Sequence, residues 1–109
     1  MIYAHKTKFV RAVDGDTVIM HLDLGVRVFS TQVIRLARVN TPELNDFEKK
    51  ELALKAKAFV TNFLAGKFCV VETKQQDPYG RWVGEVWADG VNLSDELLKA
   101  GLAEPYPKP

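Results

Sequence analysis

Apolar and polar residues alternate at both ends of the chain, and a helical period occupies its middle. "KFVRAV" (8–13) and "DTVIMHLDL" (16–24) are β-prone segments joined at Asp14-Gly15, a dipeptide suited to a hairpin turn. "RVFSTQVIRLARV" (27–39) predicts a third strand, bent or irregular near Ser30-Thr31. Beyond Pro42 the period changes. Leu52, Ala56, Phe59 and Phe63 recur at helical spacing while Lys50, Glu51, Lys55 and Lys57 line the remaining surface. A helix is expected from about Asp46 to Ala65, with Asn45 and Glu48 as a capping pair and Gly66 as its stop.

Two further strands follow, "KFCVVETK" (67–74) and "RWVGEVWA" (81–88), connected through Asp77-Pro78-Tyr79-Gly80, whose Asp, Pro and Gly stand where a type I turn favours them. "ADG" (88–90) is another turn, and "NLSDELLKAG" (92–101) reads as a short helix ending on Gly101. Pro105, Pro107 and Pro109 predict an irregular tail. The order βββαββα, mainly β with helices, is that of a five-stranded barrel with a helix inserted after strand three, the OB-fold arrangement.

Size and composition limit what this barrel can be. A chain of 109 residues is one domain over positions 1–109, able to bury roughly two-thirds of the surface its unfolded chain exposes. With 47% hydrophobic and 27% charged residues it matches an ordinary globular protein. No apolar run approaches the ~20 residues needed to span a bilayer. His5, Lys6 and Lys8 interrupt the N-terminal segment, so no secretory signal is read there and a cytoplasmic location is expected. The single cysteine, Cys69, excludes an internal disulfide and is assigned to the core. A net charge of +1 makes any nucleic-acid contact a local one.

The candidate chemistry lies in carboxylates and arginines. His5 and His21 stand apart in strand contexts, and no Ser-His-Asp or Cys-His arrangement is legible. "DGDTV" (14–18), "IRLARVNTPE" (34–43) and "DPYGRWVGEVWADG" (77–90) each read, taken alone, as turns and strand ends. In that order, and followed by "LLKAGLA" (97–103), they resemble the staphylococcal (micrococcal) nuclease, or thermonuclease, family over roughly residues 8–104. Members of that family are calcium-dependent phosphodiesterases that cut DNA and RNA with little sequence preference, and its fold also occurs as noncatalytic binding domains.

Carried over by position, the resemblance makes Asp16 a calcium ligand through its carboxylate and Thr41 one through its backbone carbonyl, with Asp14 supporting them from behind. Arg35 and Arg81 would hold the scissile phosphate, and Glu43 would activate the attacking water. Tyr79 and Tyr106 would contact the nucleotide. The chemistry is coherent: calcium takes several hard oxygens, and paired guanidiniums offer bidentate donors to phosphate. Asn40 stands where catalytic members carry a second calcium-binding aspartate, keeping a carbonyl oxygen but losing a charge. Pro78 replaces a lysine of the best-known member, the tail is short, and the segment between Glu43 and the helix is compressed.

In a regular strand Arg35 and Asn40 would lie on opposite faces, so the third strand must break near residues 39–41. Two functional readings follow from these residues. One is a calcium-dependent nuclease acting on single-stranded or frayed DNA or RNA. The other is a noncatalytic nucleic-acid or protein binding module on the same barrel, with Trp82, Trp87 and Tyr79 as stacking platforms.

Overall fold

The computed structural model describes residues 3–107; Pro109, expected in the irregular tail, lies outside them. The chain opens with β1 (Tyr3–Asp14) and β2 (Thr17–Asp23), and continues with β3 (Phe29–Leu36) and the short β4 (Val39–Asn40). A 3₁₀ turn (Phe47–Lys49) leads into α1 (Lys50–Leu64). Then come β5 (Cys69–Gln76), β6 (Trp82–Ala88), β7 (Val91–Asn92), α2 (Leu93–Lys99) and β8 (Glu104–Pro105).

The long first strand turns the corner of the barrel. Its first half pairs with β5, Tyr3 opposite Thr73, and its second half with β2, Asp14 opposite Thr17. The register shifts around Val10 and Val13, both exposed, and such irregularities bend a strand so that one strand can serve two neighbours. Closure comes from parallel pairing of β3 with β6, Ile34 opposite Trp82 and Leu36 opposite Gly84. Gly84 is required at that seam, because a Cβ there would lie 2.6 Å from the Glu72 carbonyl oxygen. Five main strands thus form the closed barrel expected from the sequence, with two helices packed on it.

Strand alternation sends Val18, Met20, Ile34, Leu36, Val71 and Val86 into the core, where they meet Val60 and Leu64 of α1 and Leu93 and Leu97 of α2. The helix buries Ala53, Ala56, Val60 and Leu64, a stripe turned from the one read in the sequence. Leu52 is 45% exposed, and Phe59 and Phe63 lie half-buried along the flank. Small residues face the β1–β2 turn for a reason: a Cβ on Gly15 would lie 2.7 Å from the Cβ of Ala56.

Four local expectations need correcting. The cap is Asp46, not Asn45: its side chain accepts from the backbone N–H of Glu48 at 3.2 Å, which starts a 3₁₀ turn before the α-helix proper. Gly66 does end the helix, with φ +71. The third strand breaks at Ala37-Arg38, earlier than residues 39–41, with Arg38 at φ 69. It runs unbroken through Ser30-Thr31, paired with β2 at every position from Phe29 to Arg35. The tail is not irregular throughout, since Glu104–Pro105 pairs with Val39–Asn40. A proline is tolerated there because β8 is an edge strand.

Candidate active site

Three turns and one strand break bring the candidate residues together. Gly15-Asp16 forms the turn between β1 and β2, so Asp16 sits in the turn rather than beginning a strand. Helix α1 holds this turn in place through the Gly15–Ala56 approach, and Asp16 is 7% exposed. Its Oδ2 accepts the backbone N–H of Thr41 at 3.0 Å and its Oδ1 the hydroxyl of Thr17 at 3.1 Å. Thr41 is thereby pinned beside Asp16, and its own Oγ1 is buried without a hydrogen-bond partner among the described residues.

Arg35, near the end of β3, reaches across the break in the strand. Its Nη1 donates to the carbonyls of Leu36 (2.7 Å) and Val39 (2.8 Å). Its Nη2 donates to Asn40 Oδ1 at 3.1 Å and lies 3.4 Å from Asp16 Oδ2. The left-handed turn at Arg38 is what lets Arg35 and Asn40 meet, which a continuous strand forbids. Tyr106, placed by the β4–β8 pairing and by its N–H bond to the Arg38 carbonyl, lies with its ring 5.7 Å from the Arg35 guanidinium carbon.

Arg81 stands at the β5–β6 turn. Asp77 Oδ1 accepts the N–H groups of Tyr79 and Arg81, both at 2.9 Å, and Oδ2 takes Arg81 Nε at 2.7 Å. This clamp aims the arginine while leaving its Nη groups without a hydrogen bond among the described residues. Tyr79, 84% exposed, lies with its ring 5.6 Å from the guanidinium carbon. Glu43 is exposed, and its carboxylate has no hydrogen-bond or ion-pair partner among the described residues. Asp14, Asp16, Arg35, Asn40, Glu43, Tyr79, Arg81 and Tyr106 all line one open cavity of about 590 Å³; Thr41 is buried beside it.

The two aspartates titrate as neighbours. Burial and the adjacent Asp16 carboxyl push the Asp14 carboxyl up to about 6. Burial acts on Asp16 in the same direction, but hydrogen bonds from Asp14 and the Thr41 N–H, with the Arg35 charge, outweigh it and hold Asp16 below the usual carboxylate range.

Comparison with known proteins decides the family. Residues 33–108 match the family model described as staphylococcal nuclease homologue. The chain belongs to this staphylococcal nuclease family. It is 34% identical over 101 residues to an uncharacterized endonuclease of Escherichia coli O157:H7, covering 91% of this chain and 60% of that protein. It is 31% identical over 106 residues to the thermonuclease of Staphylococcus hyicus, covering 88% of this chain and 56% of that protein. The domain therefore spans well under two-thirds of the length of either relative.

Within this nuclease-family domain, a hard cation is tested by the donors present. Asp14, Asp16 and Asn40 offer oxygens only, and two crowded carboxylates gain from a positive charge between them. The donors fit calcium by type. They are sparse: among the described residues no three His, Cys, Asp or Glu side chains are grouped for a metal, so backbone carbonyl and water would have to complete the shell.

Sequence reasoning missed two groups. Asp77 was read as a turn former, yet it also orients Arg81; the spacing of four between Asp77 and Arg81 was the available signal. Arg38 was overlooked, though it lines the cavity and organises a second cluster. Its Nε and Nη2 grip Glu85 at 2.6 and 2.9 Å, and its other contacts are Asp95 (3.0 Å) and Asn92 (3.2 Å). These partners stand 47 to 57 residues away, and no local pattern announces them.

Proposed function

We propose that this domain is a phosphodiester hydrolase, an endonuclease that cuts single-stranded or frayed DNA or RNA with little sequence preference and is assisted by calcium. The observation that carries the reading is the convergence on one cavity of Arg35, Arg81 and Glu43, the last without a partner among the described residues. Arg81, with its Nη groups available, donates to the phosphate oxygens as negative charge builds during attack. Arg35 adds a second guanidinium beside it. Glu43 takes the proton from the attacking water as the new P–O bond forms and the bond to the leaving oxygen breaks. Tyr79 and Tyr106 offer faces against which sugar or base can rest. Asp16, Asn40 and the Thr41 carbonyl, backed by Asp14, would hold calcium, which when bound would polarise a phosphoryl oxygen.

The second reading, a binding module without turnover, draws on one feature: Arg35 already spends its Nη donors on protein acceptors. One experiment separates the two. Purified protein is incubated with single-stranded DNA with and without millimolar calcium, alongside Glu43→Gln. Calcium-dependent cleavage that disappears in the variant supports the hydrolase; tight binding with no product supports the module. Single strands are expected to be cut faster than duplex of the same sequence, since an unpaired strand leaves its bases free to rest on Tyr79 and Tyr106, and equal rates would contradict that substrate form.

A further inference from the structure

The outer face of the β1–β2–β3 sheet is a ladder that starts at the candidate active site. On β3 the side chains of Arg35, Val33, Thr31 and Phe29 point away from the buried Ile34 and Leu36. Strand pairing extends each of them into a rung. Arg35 lies opposite Thr17, which lies opposite Asp14. The next rung holds Val33, Ile19 and Arg11, and the one after it Thr31, His21 and Lys8. Phe29 follows opposite Asp23, and its ring stacks on that of His21, with centroids 5.2 Å apart and 10° between the planes. The Thr31 hydroxyl hydrogen-bonds His21 Nδ1 at 3.1 Å, which fixes the imidazole in that stack.

Charge on this face is one-sided. Lys8 and Arg11 are exposed, and neither side chain has a hydrogen-bond or ion-pair partner among the described residues. The only carboxylates on these three strands are Asp14, which lines the outer cavity, and Asp23, whose Oδ1 accepts the N–H of Gly25 at 2.8 Å. We propose that the outer face is a track for single-stranded nucleic acid, along which a strand held at Arg35 continues past Arg11 and Lys8 and stacks a base on the Phe29–His21 pair. The inference deepens the nucleic-acid reading above and rests on it.

Three observations select this occupant. Arg35 and Asp14, the first rung, line the outer cavity, so the track continues the site without a turn of the chain between them. Cations without protein partners stand along β1 while Ile19, Val33 and the stacked rings occupy β2 and β3, so phosphates can lie over one side of the face and bases over the other. Binding of single strands without sequence readout needs that pairing of charge with aromatic surface, and Phe29 is still 54% exposed in its stack. From Arg35 to Phe29 is six residues, about 20 Å of strand, at the short end of what the ~4–16 nucleotides bound by one such barrel require. An acidic peptide would match the cations but has no planar group for the ring stack. An anionic bilayer would take up Val26, at the β2–β3 tip and 97% exposed, but Arg11 stands toward the opposite end of the face, beside the cavity.

The test uses the full chain carrying Glu43→Gln, so that binding is read without cleavage, with fluorescently labelled thymidine dinucleotide and dodecanucleotide. The dodecanucleotide should bind more tightly than the dinucleotide. Phe29→Ser should weaken the dodecanucleotide about tenfold and leave the dinucleotide unchanged. The double variant Lys8→Gln/Arg11→Gln should do the same and also flatten the dependence of log affinity on log salt by about 1.4, since each single-strand phosphate contact contributes about 0.7. All three substitutions are at exposed positions, and a thermal melt confirms that the variants fold. Dinucleotide binding together with a dodecanucleotide indifferent to these changes overturns the track and leaves the active-site reading standing. Sedimentation with phosphatidylcholine–phosphatidylserine vesicles that is lost in the double variant, while the dodecanucleotide binds as before, overturns it in favour of a lipid surface. If neither oligonucleotide binds, the nucleic-acid reading falls and the track falls with it.

Discussion

Two arginine clusters sit on either side of the break in β3, and they spend their charge differently. Arg38 uses four of its five guanidinium donors within the protein, gripping Glu85 with two and reaching Asp95 and Asn92 besides, while Lys74 adds a further contact to Glu85 at 3.2 Å. Glu85 itself is 4% exposed. In the outer cavity the Arg81 guanidinium is held through Nε alone and keeps its Nη groups available, and the Glu43 carboxylate has no partner among the described residues. The same residue types therefore stabilise the fold where their hydrogen bonds are complete and are available for chemistry where they are not. Arg35 belongs to both classes, because its bonds to Leu36 and Val39 brace the backbone while its guanidinium faces the cavity.

The comparison breaks most visibly at Arg81. Arg81→Ala should lower cleavage of single-stranded DNA by about a hundred- to a thousandfold while the melting temperature stays close to that of the parent. Arg35→Ala should lose activity to a similar extent and lose stability as well, which a paired activity assay and thermal melt will show. A variant of Arg81 that cuts at the parental rate would take that guanidinium out of the chemistry.

Next in size is the structural cluster. Glu85→Ala should destabilise the fold by about 1–3 kcal/mol in urea denaturation, below the figure for a fully buried pair because Arg38 is 44% exposed. Catalysis per folded molecule should be nearly unchanged. A large kcat loss with unaltered stability would reverse the roles assigned to the two clusters.

Acid sharpens the same distinction. Burial alone would raise the Glu85 carboxyl, but hydrogen bonds from Arg38, Asn92 and Lys74 hold it below the ordinary glutamate value of 4.5. A carboxylate depressed in the folded state contributes its full stabilisation above the unfolded value and loses it as pH falls through the folded one. The stability difference between parent and Glu85→Gln should therefore be largest above about pH 5 and shrink below about pH 4, as measured by urea unfolding across that range.

The smallest expected effect concerns Asn40. Asn40→Asp should tighten calcium binding about tenfold, read by calorimetric titration, since a second carboxylate beside Asp16 better balances a double charge. Arg35, now donating to Asn40 Oδ1, would face an aspartate there instead. Unchanged calcium affinity would mean that residue 40 is not a ligand in this domain.

Periodicity and turn chemistry alone carried the order of the main strands, the long helix, its glycine stop and, within a residue, the turns between β1 and β2 and between β5 and β6, because these are set by neighbours a few residues apart. The motif order carried the family. Local signals were less secure where two neighbours compete for one role, as at Asn45 and Asp46, where the extended backbone of Asp46 settled the cap. The buried stripe of α1 keeps Ala56, where the glycine turn between β1 and β2 comes close, but runs through Ala53, Val60 and Leu64 instead of Leu52, Phe59 and Phe63.

What only the tertiary structure decided is which polar groups are already used. The motif resemblance singles out Arg35 and Arg81 and passes over Arg38, but it does not say which of their donors are already engaged. Glu85, Asn92 and Asp95 occupy Arg38 from 47 to 57 positions away. Asp77 holds the Arg81 guanidinium by Nε alone. The inward turn of Trp82 and Gln32 likewise follows from the register of β3 on β6, a pairing between segments 48 residues apart. Hydrogen-bond completion is a property of the closed barrel, since donors and acceptors distant in sequence meet only when β3 and β6 pair and the chain breaks at Arg38.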